Sequence, residues 1–137
     1  MKVLLDTNVV MDVLCHRQPH YEKSAEVMEL CRIQLIEGII CSQSFATIAY
    51  VLGKQVDNEE LYIKLNGLLR LCNISRVDSD VITSAIDAKR PDFEDAVQYY
   101  SAQTVNADCI ISRDKTGFKG MSLPIFTPTE FMANCRR

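Results

Sequence analysis

The residues best suited to chemistry in this sequence are carboxylates that come from separate parts of the chain. Asp6 and Asp114 each follow a short apolar run. A third acidic group precedes a helical pattern and consists of Asp92, Glu94 and Asp95. Carboxylates brought together repel one another, and a hard divalent cation such as Mg²⁺ or Mn²⁺ relieves that repulsion. Such an ion can polarise a phosphodiester and activate water, so the pattern indicates metal-dependent phosphodiester chemistry if the fold unites these groups.

A second interpretation of the same acidic residues stays open on residue types alone. Asp92, Glu94 and Asp95 would stabilise the N-terminus of a helix with no metal at all, because carboxylates complement the helix dipole. Asp92 has the same two interpretations, an extra carboxylate at the mouth of the site or an N-cap. Asp12, one turn or more beyond the first strand, is predicted to be exposed to solvent.

The elements that must position these groups begin with a buried strand at residues 3–5. It ends on Asp6, and Thr7 and Asn8 are predicted N-caps for the apolar helix that follows. The sequence thus places a carboxylate at the carboxyl end of a first, central strand. Open α/β sheets bind their ligands at this end of the strands.

Strands and helices alternate along the rest of the chain. A third helix is predicted at 45–53 with Ser42 and Ser44 as possible caps, a third strand at 74–77 and a fourth at 108–112. The sixth helix, 92–106, has a predicted inner face of Phe93, Ala96, Val97, Tyr100 and Thr104. This alternation predicts an α/β fold, a three-layer α/β/α sandwich around a mainly parallel sheet, with residues 1–137 as one domain.

Composition narrows the possible partners. The chain has 137 residues, 47% hydrophobic and 24% charged, which is typical of a globular protein. The net charge of −3 provides no overall positive field for nucleic acid, so any such binding must be local. No apolar run approaches the roughly 20 residues of a membrane span, and no signal peptide precedes the first strand. The six cysteines show no metal or disulfide spacing, and a cytoplasmic protein is expected.

Three motifs resemble the PIN domain family. They are LLDTN at 4–8, DFEDA at 92–96, and IISRD at 110–114 followed by Phe118. The closing segment, PIFTPTEF at 124–131, is similar to the end of small single-domain bacterial members. The resemblance covers essentially the whole chain and implies an α/β/α fold and a Mg²⁺- or Mn²⁺-dependent ribonuclease. It also implies products with 5′-phosphate and 3′-hydroxyl ends.

The resemblance further implies a set of site residues. The acidic metal ligands of the family fall on Asp6, Asp95 and Asp114, with Asp6 central and Asp92 as an additional candidate. The supporting residues it implies are Asn8, which would brace Asp6, and Ser112, the hydroxyl before the last acidic residue. Nearby cations are candidate contacts for RNA phosphates, with a solvated loop as the alternative: Arg113, Lys115 and Lys119.

One position departs from the family pattern. The family usually carries a Glu on the third helix, and Thr47 occupies that place here. No carboxylate occurs between Gly38 and Asp57. A hydroxyl brings no charge, so weaker metal binding is expected. A PIN-like protein that binds RNA or protein without cutting is therefore the alternative function.

Two other enzyme classes lack a required residue. A haloacid-dehalogenase-type phosphatase needs a second Asp where the sequence has Asn8, and a response-regulator receiver needs a Lys after the last strand. Among partners, the resemblance implies an RNA substrate, an antitoxin protein and a homodimer. Candidate interface residues are Tyr62, Ile63, Met121, Leu123, Phe131 and Met132.

Overall fold

A parallel sheet of five strands forms the middle layer of the computed structural model, which describes residues 1–135. The strands are β1 (Lys2–Leu5), β2 (Glu37–Cys41), β3 (Cys72–Ser75), β4 (Cys109–Ile111) and β5 (Ile125–Phe126). The helices are α1 (Thr7–Leu14), α2 (Tyr21–Arg32), α3 (Ser42–Leu52), α4 (Asn58–Leu71), α5 (Ser79–Ala88), α6 (Phe93–Thr104) and α7 (Pro128–Cys135). The strand order is β3-β2-β1-β4-β5, and every neighbouring pair is parallel. The predicted α/β/α architecture is confirmed.

Alternating side chains of the central strands pack in two hydrophobic cores, one on each face of the sheet. Val3 and Leu5 pack in the core that holds residues of α1, α2, α4 and α7. Leu4 points the other way, into the core formed with α5 and α6. All three side chains are fully buried. Burial on both faces explains why β1 is an unbroken apolar run.

Several predicted helix starts and strand limits differ from the structure. β3 begins at Cys72, two residues before its predicted start, because the strand follows α4 without a loop. The N-cap of α3 is Cys41, whose side chain makes no capping hydrogen bond, so neither Ser42 nor Ser44 caps this helix. The predicted capping box of α7 is present: the Glu130 N–H donates to Thr127 Oγ1 at 3.1 Å, and the Thr127 N–H donates to Glu130 Oε1 at 2.9 Å.

The helices are short. The longest described, α4, has 14 residues, whereas a membrane-spanning helix needs about 20. No helix among residues 1–135 is long and apolar enough to cross a bilayer.

Of the residues predicted to form an interface, some are exposed and one belongs to the core. Tyr62 and Ile63 on α4 are exposed. Phe131 is 3% exposed and packs within the core, so its assignment to an interface is wrong. Met121, Leu123 and Met132 are partly buried against the two cores.

Candidate active site

The register between β1 and β4 brings Asp6 and Ser112 together. Leu5 pairs with Ile111, so the residue that follows each strand lies at the same edge of the sheet. The Asp6 N–H donates to the Ile111 carbonyl at 2.9 Å, which extends the strand pairing by one step. Asp6 is 6% exposed and Ser112 is fully buried.

Two side chains hold the Asp6 carboxylate in place. Ser112 Oγ donates to Asp6 Oδ2 at 2.7 Å. Gln98 Nε2 donates to Asp6 Oδ1 at 2.9 Å, and Gln98 Oε1 accepts the Thr7 N–H at 3.2 Å. Gln98 on α6 is 1% exposed and was not identified from the sequence. Each oxygen of Asp6 thus has a fixed donor, so the carboxylate is oriented before any ligand arrives.

The start of α1 differs from its predicted form. Asp6 is the N-cap residue without a capping side-chain bond, and Thr7 and Asn8 lie inside the helix, so the prediction that they cap it is wrong. Asn8 is exposed, and its Oδ1 accepts a long hydrogen bond from Arg17 at 3.4 Å. The amide that braces Asp6 is therefore that of Gln98, not Asn8 as predicted.

Asp95, in the first turn of α6, is affected by the surrounding negative charge. The pKa of Asp95 is raised to about 7. Burial is the largest cause of this shift, and the negative charge of the Asp6 carboxylate is the second. Smaller contributions of the same sign come from Asp92, Glu94 and Asp114. Asp95 is thus close enough to Asp6 and Asp114 for their charges to act on it, and burial together with this repulsion favours its protonated form.

The other two predicted acidic ligands have structural roles as well. Asp92 is the N-cap of α6, where its Oδ1 accepts the Asp95 N–H at 3.0 Å. Asp114 is exposed, and its Oδ1 accepts the Thr116 N–H at 3.0 Å. This backbone hydrogen bond is the main reason that the pKa of Asp114 lies below its usual range. Asp114 therefore remains a carboxylate where Asp95 tends to hold a proton.

The third helix presents hydroxyls to the site. Ser44 is 1% exposed, and its Oγ lies 2.7 Å from Thr7 Oγ1, beside Asp6. One turn later, Thr47 Oγ1 donates to Glu94 Oε2 at 3.2 Å. α3 thus faces the carboxylates with neutral donors.

Two of the three predicted phosphate-binding cations are engaged in ion pairs. Arg113 Nε lies 3.0 Å from Asp12 Oδ2, and Lys115 Nζ lies 3.1 Å from Glu130 Oε1. Asp12 is 0% exposed, so its predicted solvent exposure is wrong. Burial is the largest influence on Asp12 and raises its pKa, although Arg113 opposes that shift. The pair lacks hydrogen-bond alignment, because neither Asp12 oxygen nor Arg113 Nε has a hydrogen-bond partner among the described residues.

Gly117 limits where the Asp95 carboxylate can lie. It belongs to a 3-10 turn, Thr116–Phe118, that follows Asp114 and was not predicted. A Cβ built on Gly117 would overlap Asp95 Oδ2 and come within 2.8 Å of Asp95 Cγ. Only a residue without a side chain allows this turn to pack against Asp95. The only signal in the sequence was a pair of glycines, Gly117 and Gly120, after the last acidic motif.

Gly117→Ala is therefore expected to displace the Asp95 carboxylate and to weaken Mn²⁺ binding about tenfold or more. The backbone φ of Gly117 does not demand glycine, so the fold should tolerate the methyl group better than the site does. Calorimetric titration with Mn²⁺, beside thermal unfolding without metal, measures both effects. Gly67→Ala is the matched control, because a Cβ there would meet nothing within 4 Å. Equal Mn²⁺ affinity in both variants would contradict the contact.

The donor set fits a hard divalent cation. The ligand candidates are carboxylates, and the repulsion that raises the pKa of Asp95 is what such a cation relieves. As the side chains stand, no three His, Cys, Asp or Glu residues in the described chain already surround one ion position. Asp114 is exposed and Asp95 half-buried, so these carboxylates can adjust towards Asp6, which is fixed.

Comparison with known proteins gave a family and several solved structures. The family model described as "PIN domain" matches residues 2–116. No curated protein matches the chain. VapBC2 from Rickettsia felis, solved on a DNA fragment from its promoter, is similar with a TM-score of 0.70 and 16% identity over 93% of this chain and 98% of that one.

Two further solved structures have TM-scores close to that value. A toxin–antitoxin complex from Klebsiella pneumoniae has a TM-score of 0.68 and 18% identity over 92% of this chain and 97% of that one. VapC20 of Mycobacterium tuberculosis, described as a sarcin–ricin loop cleaving toxin, has a TM-score of 0.66 and 9% identity over 88% of this chain and 96% of that one. At these identities the similarity shows a shared fold.

Proposed function

The chain belongs to the PIN domain family, and from this premise we propose that it is a metal-dependent ribonuclease that hydrolyses RNA phosphodiesters at its carboxylate cluster. The observation that carries the proposal is the fixed Asp6 carboxylate. Ser112 and Gln98 each donate to one of its oxygens, and Asp95 lies close enough for its pKa to respond to Asp6. Carboxylates that surround a fixed carboxylate form an arrangement that a divalent cation would stabilise.

The proposed ligands for Mg²⁺ or Mn²⁺ are Asp6, Asp95 and Asp114, with Asp92 at the mouth. When bound, the cation supplies Lewis acidity and lowers the pKa of water for attack on phosphorus. The protein holds Asp6 rigid through Ser112 and Gln98, which lowers the cost of assembling the site.

RNA contacts are proposed for the cations beside the site. Lys115 pairs with Glu130 across the surface, and an exposed pair of this kind is weak, so a phosphate can replace Glu130. Arg113 is 30% exposed in its side chain and reaches the surface from its pair with Asp12. These contacts would position the RNA backbone without reading its sequence.

A protein partner is part of the same proposal. A solved structure of similar fold is described as a toxin–antitoxin complex, and we propose that this chain is a toxin that an antitoxin holds silent in the cytoplasm. The exposed Tyr62 and Ile63 on α4 are proposed to contribute to a homodimer contact.

The test is cleavage of a mixed RNA pool by wild-type protein with Mn²⁺, wild-type protein with EDTA, and Asp6→Asn protein purified identically. Of these three reactions, only wild-type protein with Mn²⁺ is expected to cleave RNA. The cleavage rate of the Asp6→Asn protein should be lower by at least about a hundredfold. An asparagine amide in place of the Asp6 carboxylate can still accept one hydrogen bond and donate another, so the variant should fold, and circular dichroism checks this. Products should carry 5′-phosphate ends; 2′,3′-cyclic ends would contradict the metal mechanism.

The alternative function is a PIN domain that binds without cutting. The observation that favours it is Thr47, which leaves α3 without a carboxylate. Folded wild-type protein that cleaves no RNA with Mn²⁺ would favour this alternative over the nuclease.

A further inference from the structure

We propose that Glu94 on α6 supplies the metal-site carboxylate that α3 lacks, from the position beside Thr47. This inference rests on the proposed function, because it concerns the same cation. The juxtaposition that carries it is the contact of Thr47 Oγ1 with Glu94 Oε2 at 3.2 Å, between residues 47 positions apart.

The face of α3 that carries Thr47 points towards the site. Ser44 is one turn earlier on the same helix, and its hydroxyl contacts Thr7, the residue after Asp6. α3 therefore approaches the fixed carboxylate, with Thr47 on the same side. A carboxylate that contacts Thr47 is held at this mouth of the site, whichever helix contributes it.

Glu94 behaves differently from an ordinary acidic residue of a first helical turn. Glu59 occupies the corresponding position of α4, two residues after the N-cap Asp57, and is exposed. Glu94 is two residues after the N-cap Asp92 but is half-buried and reaches α3. Asp92 already caps α6, so capping does not require Glu94.

The contact with Thr47 orients Glu94 without using up its capacity to bind a cation. An ionised carboxylate has about four acceptor positions, and the threonine hydroxyl occupies one. Thr47 is thus a positioning residue, and Glu94 provides the negative charge. Glu94 on α6 thus supplies the negative charge that a Glu at position 47 of α3 would supply. The site therefore keeps a carboxylate at this place although position 47 is Thr.

The experiment measures Mn²⁺ affinity by calorimetry in five proteins: wild type, Asp6→Asn, Glu94→Gln, Glu59→Gln and the double variant Thr47→Glu/Glu94→Gln. Glu94→Gln should bind Mn²⁺ about tenfold or more weakly, whereas Glu59→Gln, which removes the same helix-dipole contribution from α4, should match wild type. The double variant should recover affinity, because it returns a carboxylate to the same place from α3.

The outcomes separate this inference from the proposed function. If Asp6→Asn weakens Mn²⁺ binding and Glu94→Gln does not, the role of Glu94 is wrong while the metal site stands. A double variant that binds no better than Glu94→Gln would overturn the equivalence of the two positions. If wild-type protein and Asp6→Asn bind Mn²⁺ equally, the proposed metal site itself is wrong.

Discussion

Arg113→Ala is expected to lower the free energy of unfolding by about 2–4 kcal/mol at pH 8. The substitution leaves the fully buried Asp12 carboxylate without its nearest cation. Arg17 remains 3.9 Å away and partly compensates, which places the loss below that of an isolated buried pair. Urea unfolding with and without the substitution measures the effect.

The pH dependence identifies the cause of this loss. Burial already raises the pKa of Asp12 above its unfolded value, and loss of Arg113 should raise it further. A raised carboxyl pKa destabilises the folded protein above the unfolded pKa of about 3.9 and not below it, so the difference from wild type should shrink in acid. Arg76→Ala, which breaks an exposed pair with Asp78, should lower the free energy of unfolding much less than Arg113→Ala does. Equal losses in the two variants would contradict a structural role for the Asp12–Arg113 pair.

Asp95→Asn is expected to act in opposite directions on stability and on activity. In EDTA at pH 8 the free energy of unfolding of the variant should exceed that of wild type by about 1–2 kcal/mol. The full pKa shift would give a larger value, but solvent screens the partly exposed Asp95. With Mn²⁺, its RNA cleavage should fall at least about hundredfold, because a proposed ligand is lost.

The sign of the stability change follows from the pKa of about 7. The folded protein retains a proton on Asp95 that the unfolded chain releases near pH 4, so wild-type stability falls between about pH 4 and pH 7. The variant should lack that decline, and the two proteins should converge at about pH 4. Asp80→Asn, a substitution in the first turn of α5, should show no such gain. A metal-free Asp95→Asn protein less stable than wild type at pH 8 would refute the raised pKa of Asp95.

The parts of the fold and site that the sequence predicted depend on local signals. The buried run before Asp6 and the run before Asp114 specify parallel strands, and residues that follow neighbouring parallel strands must lie at one edge. That argument predicted that Asp6, Asp114 and the start of α6 lie together, whereas Ser112 was named only from the family resemblance. It needed no knowledge of side-chain contacts.

The contacts that the sequence did not predict join distant segments. Gln98 lies on a helix whose inner face was expected to begin at Phe93, yet Phe93 is 46% exposed and Gln98 is buried against Asp6. Asp12 is buried because Arg113, 101 positions later, pairs with it, and a helical pattern cannot show such a partner. The substitution at Thr47 is visible in the sequence, but Glu94 opposite it is visible only in three dimensions.

The central place of β1 has a consequence for synthesis. β1 pairs with β2 on one side and with β4, more than a hundred residues later, on the other. Because the ribosome releases the N-terminal segments first, Asp6 emerges long before its partners Gln98 and Ser112. A prematurely terminated product that ends before β4 would leave one edge of β1 open and its carboxylate unbraced. Translation itself thus delays assembly of the proposed nuclease site until β4 and Ser112 have been synthesised.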